Sequence, residues 1–411
     1  MYMTTGEIIR RIRRSLGMTQ AEMGALINFS QPAVSGLENG GPASHDVRVL
    51  RLVARALKVP LAILVVESDE EADVDRRNFF RAGALGGVGA TMVAAHPDKA
   101  SMDGIKVSAA DVADINESVK QIHELDLVVG GDRLCNLATG QVRYVRQLLD
   151  AGSFSNRVGE ALATATAETM TAAGWVHYDA DRREDARRFY ADAVQTANEA
   201  GDGVSIAHAL MNSSALDLDT TSMVAETGSA RRSRPQRAAH LAQAAQDAAR
   251  RKGGPKVRAL AALREAQAQG AIDKKAMGQA IGRAYRAYES GRGFDPDWAW
   301  LPESELNALI GISHMFAGEY KQAERHLSTA VDSAASWPRE QVAWQLYLAH
   351  SYLAAGEPAQ ACGLLNDNAV TIESVSSTRM QRELDAIATA VRPHNTIPEV
   401  KMFLTPRSRR A

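Results

Sequence analysis

The sequence predicts an all-α protein: a small five-helix head at the N-terminus, then a long solenoid of helix pairs. Three observations carry this. Apolar residues recur at i, i+3, i+4 through residues 7–66 and again from about residue 106 to 392, with almost no strand-like alternation. Aromatic residues make up only 5% of the chain while alanine is abundant, which suits closely crossing helices. Helix–turn–helix segments also recur at 172–201, 308–335 and 346–370, with turn residues Gly318 and Gly356 set 38 residues apart. That spacing is close to the roughly 34-residue tetratricopeptide (TPR) period.

The head begins with a helix over 7–16 that turns Ile8, Ile9 and Ile12 inward. Thr19 and Glu22 have the spacing of a capping box, so a second helix starts there, with Met23, Leu26 and Ile27 as its apolar face. Asn28-Phe29 fills a tight turn. Ser30 can cap a third helix over 31–38, with Pro32 in the first turn, where a missing N–H costs nothing. Val34 and Leu37 point inward, and Gly40-Gly41 stops the helix. This leaves Gln31, Ala33, Ser35 and Gly36, all small or amide-bearing, on the outer face. Helices over 47–57 (Val49, Leu50, Val53, Ala54 and Leu57 inward) and 61–66 complete the head.

The whole chain carries a net charge of −2, but residues 1–66 hold eight Arg/Lys against four Asp/Glu. Arg10, Arg11, Arg13 and Arg14 crowd one helix. Such a run is either a solvated face or a phosphate contact, and a groove-sized helix nearby favours the latter.

The residues Thr19-Gln20, Ser30-Gln31 and Leu37-Glu38-Asn39-Gly40 keep the spacing of one known pattern. They resemble the helix-turn-helix of the phage-repressor and Cro superfamily, the XRE family. The resemblance implies a lambda-repressor-like head whose third helix enters the major groove of a double-stranded DNA operator. Gln31 would read a base edge, its amide being able to pair with adenine. Gln20 would touch phosphate, as that position does in the family, and Ser35 would be a second reader one turn past Gln31. Ser30 serves either as a reader or only as a cap. Ala33, Asn39, Arg10, Arg14 and Arg48 complete the expected DNA surface. Pro32 and Gly36 depart from better-studied repressors, which often carry long polar readers there. Direct readout should therefore be thin, with specificity added by DNA shape and by a homodimer spanning two half-sites about 34 Å apart.

Residues 67–105 read as an Arg/Gly-rich linker, 106–392 as the TPR-like sensor and dimerisation domain, and 393–411 as a disordered basic tail. The stretches 124–131 and 173–182 resemble actinobacterial regulators that join an XRE head to a TPR-like domain. That resemblance implies a cytoplasmic transcription factor whose target and signal vary by member; the expected protein is nucleoid-associated, with a peptide or small molecule as the signal bound by the TPR-like domain. Asn212, Asn307 and Gln345, on expected inner helices, are candidate ligand contacts; the alternative for each is a packing amide. His177, Asp179 and Asp181 suggest capping rather than metal.

No catalytic motif is present: no HExxH, nucleophile elbow or Walker loop. No cofactor or metal is expected. Cys135 and Cys362 form no pairing pattern, and no apolar run reaches the roughly 20 residues of a membrane helix. Two rival readings remain. One is a TPR interaction scaffold tethered to DNA. The other is a twin-arginine-exported protein, because Arg76-Arg77, Phe79-Phe80 and 14 uncharged residues follow one another within 75–95.

Overall fold

The computed structural model describes residues 4–59, 64, 106–218, 234–291, 293–334, 337–375 and 377–405. Among these the fold is all-helical, with an isolated Lys106–Ser153 bridge in place of any sheet. The fifth head helix (apart from Leu64), the linker and the twin-arginine segment lie outside the described residues. The chain divides into two units, Met1–Ala180 and Asp181–Ala411.

In the first unit, α1 (Thr5–Ser15), α2 (Gln20–Ile27), α3 (Gln31–Glu38) and α4 (Val47–Leu57) form the head. Thr4 and Thr19 each close a full capping box, with Glu7 and Glu22 respectively. Ile8, Ile9, Ile12, Met23, Ile27, Val34, Leu37, Val53 and Leu57 are each at most 2% exposed and make one small core. Leu26 does not join it. It is 60% exposed, because the buried arc of the two-turn α2 centres on Met23, Gly24 and Ile27 and leaves Leu26 on the outer side. Val49 is half-buried. The unit continues with α5 (Ala109–Val129), α6 (Gly131–Ala151) and α7 (Asn156–Asp179), which pack on one another, α5 also lying against α1.

The second unit is a helical-repeat-like stack. Helices α8 (Arg183–Glu199), α9 (Gly203–Asp217), α10 (Pro235–Ala249), α11 (Pro255–Gly270), α12 (Lys274–Glu289), α13 (Glu303–Phe316), α14 (Tyr320–Asp332), α15 (Pro338–Ala354) and α16 (Pro358–Asp367) run in order. Each of the hairpins α9/α10, α11/α12, α13/α14 and α15/α16 packs internally, and the first helices α9, α11, α13 and α15 also pack on one another in sequence. The turns repeat in atomic detail. Gly318 and Gly356 have φ of +68° and +81°, and in both turns the residue after the glycine donates its N–H five residues back, Glu319 to His314 O and Glu357 to Tyr352 O, each at 2.9 Å. Where α13 crosses α14, a Cβ on Gly311 would come within 2.7 Å of Leu327, so only glycine permits that approach.

The stack closes with α17 (Ala369–Ser374), α18 (Thr378–Val391) and α19 (Pro398–Leu404). Here the expectation of a disordered tail over 393–411 is corrected for residues 393–405; residues 406–411 lie outside the described residues. Residues 392–394 form a 3₁₀ turn, and α19 buries Val400 and Phe403 to 0% and 1% exposure against the last core cluster. Ile397, Val400, Phe403 and Leu404 sit at helical spacing and give this short segment an apolar face of its own. Among the described residues, no helix is long and apolar enough to cross a membrane.

Candidate nucleic-acid interface

The geometry of α2 and α3 is set locally. Asn28 ends α2 in the left-handed region (φ +57°), and Phe29 N–H returns to Gly24 O at 2.8 Å. A Cβ on Gly24 would lie 2.4 Å from Phe29 O, so the turn is this tight only because position 24 lacks a side chain. Ser30 caps α3, its Oγ accepting from Ala33 N–H at 3.4 Å. At the far end, Asn39 is the C-cap, Gly40 has φ +80°, and Gly41 N–H donates to Gly36 O at 2.9 Å.

Between these ends the exposed face of α3 carries Gln31, Pro32, Ala33 and Gly36, with Ser35 half-buried. Gln31 is held in place by a chain of bonds. Its Nε2 donates to Gln20 Oε1 at 2.7 Å, and Gln20 Nε2 donates to Glu38 Oε2 at 2.9 Å. The carboxylate of Glu38 accepts Gln20's donor, which turns the carbonyl end of Gln20 toward Gln31. Gln31 Oε1 and its second amide hydrogen take no part in these two bonds.

Glu38 is the hub of this arrangement, and sequence reading gave it no role. Its side chain is 1% exposed. Arg13 of α1 meets it with two bonds, Nε to Oε1 at 2.5 Å and Nη2 to Oε2 at 3.0 Å, and donates Nη1 to Met18 O at 2.6 Å. Arg10 adds Nε to Oε2 at 3.3 Å and also bonds Asn39 Oδ1. Burial works to raise the Glu38 pKa. The bonds from Arg13 and Gln20, the Arg13 charge and the Arg10 bond outweigh it and hold the carboxyl below the ordinary glutamate range. One buried carboxylate thus ties α1, α2 and the end of α3 together.

The expected DNA residues therefore separate into groups. Gln20, Gln31, Arg10 and Asn39 are brought together through Glu38. Ser30 and Ala33 meet in the cap of α3, and Ser35 lies further along that helix. Arg14 is exposed on α1; Arg48 is exposed at the start of α4, where its N–H caps on Asp46 Oδ1 at 2.8 Å. Of the four-arginine run, Arg13 is no surface cation but a buried strut, 6% exposed. A clue lies in the sequence itself: Arg10 and Arg13 are one turn apart, and Glu38 is the only acid in the third helix.

The candidate ligand residues occupy different settings. Asn212 is half-buried on α9. Asn307 donates to Glu303 O at 2.9 Å and bonds His326 Nδ1 of α14 at 2.9 Å. Gln345 is 1% exposed with no hydrogen-bond partner for either amide atom. Asp179 accepts from Gly131 N–H at 3.2 Å, His177 bonds Ala173 O at 2.8 Å, and Asp181 pairs with Arg382 at 3.3 Å. Among the described residues no group of three or more His, Cys, Asp or Glu could hold a metal ion. Cys135 and Cys362 are both buried.

Residues 9–64 match the Helix-turn-helix family model. No curated protein matches the chain. The capped helices, the tight turn at Gly24 and the held amide of Gln31 all fall within the matched residues, and this part of the chain is an XRE-type helix-turn-helix, the DNA-binding head of a transcriptional regulator.

Proposed function

We propose that the protein is a dimeric, sequence-specific transcriptional regulator, that residues 1–66 read the operator, and that the region from 106 to 392 is a TPR-like sensor and dimerisation domain. The observation that carries the DNA reading is the Glu38–Gln20–Gln31 chain, which fixes a reading amide at the first turn of an otherwise small-faced α3. A thin reader of this kind needs a second copy for useful affinity. Gln20, Ser30, Gln31, Ala33, Ser35, Asn39, Arg14 and Arg48 contact DNA in this reading, with Arg10 acting mainly through Glu38.

The sensor reading draws on the repeated hairpins and on charge shared between their first helices. Burial pushes the Glu305 carboxyl of α13 up to about 7, with Arg264 of α11 pulling it down and Glu340 of α15 pushing it further up. Arg264 of α11 and Glu340 of α15 are thus both within electrostatic reach of Glu305 on the first helix between them. A peptide or small molecule bound there would act by linkage, favouring one placement of the two heads. The second reading, a scaffold that docks a partner protein while the head tethers it to DNA, predicts occupancy that no small ligand alters.

The test is genome-wide occupancy of the tagged protein against a Gln31→Ala/Ser35→Ala variant. Discrete peaks lost in the variant support sequence-specific reading. Occupancy unchanged by the variant refutes it.

A further inference from the structure

The α13/α14 and α15/α16 hairpins can be compared position by position, because their turn glycines Gly318 and Gly356 are 38 residues apart. Glu319 follows the first of these glycines, and its carboxylate is held twice: by His314 Nδ1 at 2.8 Å and by Lys274 Nζ at 3.6 Å, Lys274 being the first residue of α12 in the hairpin before. Glu357 is the equivalent residue after Gly356, and its neighbours differ. The counterpart of His314 is Tyr352, whose hydroxyl donates to Glu324 Oε1 at 3.1 Å. The counterpart of Lys274 is Tyr320, the first residue of α14. Neither tyrosine can supply the positive charge that Glu319 receives.

A third pair of positions diverges in the same way. Ser313 and Ser351 are equivalent and 0% and 1% exposed. Ser313 Oγ donates to Leu309 O at 2.8 Å, one turn back in its own helix, whereas Ser351 Oγ has no hydrogen-bond partner. Buried hydroxyls nearly always have one.

These differences meet in one crevice of about 530 Å³, lined by Tyr320, Lys321, Glu324, Ser351, Tyr352 and Glu357 among others. Its volume is that of a small-molecule site. Carboxylates outnumber the single lysine, which is exposed. The two tyrosines add aromatic surface, which attracts cations. A metal ion is the poorer fit, since among the described residues no group of three or more His, Cys, Asp or Glu could hold one. An ammonium group carries three donors and needs only acceptors around it.

We propose that this crevice binds a small alkylammonium ligand, a di- or polyamine, whose ammonium groups bond the Glu357 carboxylate and Ser351 Oγ and supply the charge that Lys274 supplies one hairpin earlier. The site gives the small-molecule signal of the sensor reading a chemical class, and it depends on that reading only for its effect on DNA binding.

The test is calorimetric titration of the full-length chain, without DNA, using cadaverine as the probe. Wild-type protein should bind it and should not bind pentanediol, the uncharged analogue of the same length. Glu357→Gln should weaken binding about tenfold and Ser351→Ala about fivefold, the losses typical of a hydrogen bond to a charged group and of an ordinary one. Raising the salt to about 0.5 M should also weaken binding to wild-type protein, because screening reduces exposed charge pairing. The diol and salt arms need no substitution and so do not depend on a variant's folding. Absence of cadaverine binding at millimolar concentration, equal binding of the diol, or binding that both variants leave unchanged overturns the proposal. If cadaverine binds as expected and operator affinity does not respond to it, the site stands and its use as the sensor's signal fails.

Discussion

Replacing Glu38 by alanine should loosen the head more than any single change on its surface. The Arg13 and Glu38 side chains are 7% and 1% exposed, joined at 2.5 and 3.0 Å. Removing the carboxylate leaves the Arg13 guanidinium buried without its counter-charge, which typically costs about 3–5 kcal/mol. It also releases Gln20 Nε2 and Arg10 Nε from the same oxygen. Small domains hold only about 5–15 kcal/mol in total, so the head would lose a large share. Amide hydrogen exchange in the full-length chain is the suitable assay, with the helices of the second unit as internal reference. Protection in α1, α2 and α3 should fall together by about 3 kcal/mol or more, while α11 to α15 stay unchanged. Arg13→Met in the same background should recover part of the loss, because the orphaned charge goes with it. A drop under about 1 kcal/mol, or one confined to α3, would refute the view that this carboxylate binds three helices.

Four further outcomes follow from the same geometry. Glu38 has a lowered pKa in the folded head, so its contribution is present above the ordinary glutamate value and is lost as pH falls through the lower folded value; acid titration of head exchange should show this, and Glu38→Gln should abolish it. Gln31→Ala should weaken binding to a selected operator by about 1–3 kcal/mol at one base position with protection of α1–α3 retained, measured by fluorescence anisotropy across single-base variants. Gly24→Ala places a Cβ 2.4 Å from Phe29 O and should destabilise the head by about 1–3 kcal/mol, with exchange rising first at the α2–α3 turn. Gly356→Ala meets no atom within 4 Å, so its cost comes from the backbone alone at φ +81°; about 1–2 kcal/mol should appear as a lowered Tm, and a neutral result would show that the turn relaxes.

The all-helical class and the order of the head helices could be read from the residues because their signals are local. Thr19 and Glu22 form a capping box within one turn of chain, Asn28-Phe29 is a turn on its own, and Gly318 and Gly356 stop helices wherever they fold. Gln31 could be placed in the exposed first turn of α3 for the same reason: its position follows from the cap beside it. What the local signals did not contain was the partner of each polar group. Arg13 looks like its neighbours Arg10 and Arg14 until the end of α3 brings Glu38 across 25 residues of chain to bury it. Leu26 fits an apolar stripe by spacing, yet a two-turn helix buries only an arc, and packing decides which. The segment 393–405 reads as a tail by composition, while α16 offers the surface that makes α19 worth folding. Sequence determined where helices begin and end, because capping and turn chemistry act within a few residues. Tertiary structure alone decided which charges are buried and which face solvent, because the free energy of an ion depends on the counter-charge and water that distant chain brings or excludes.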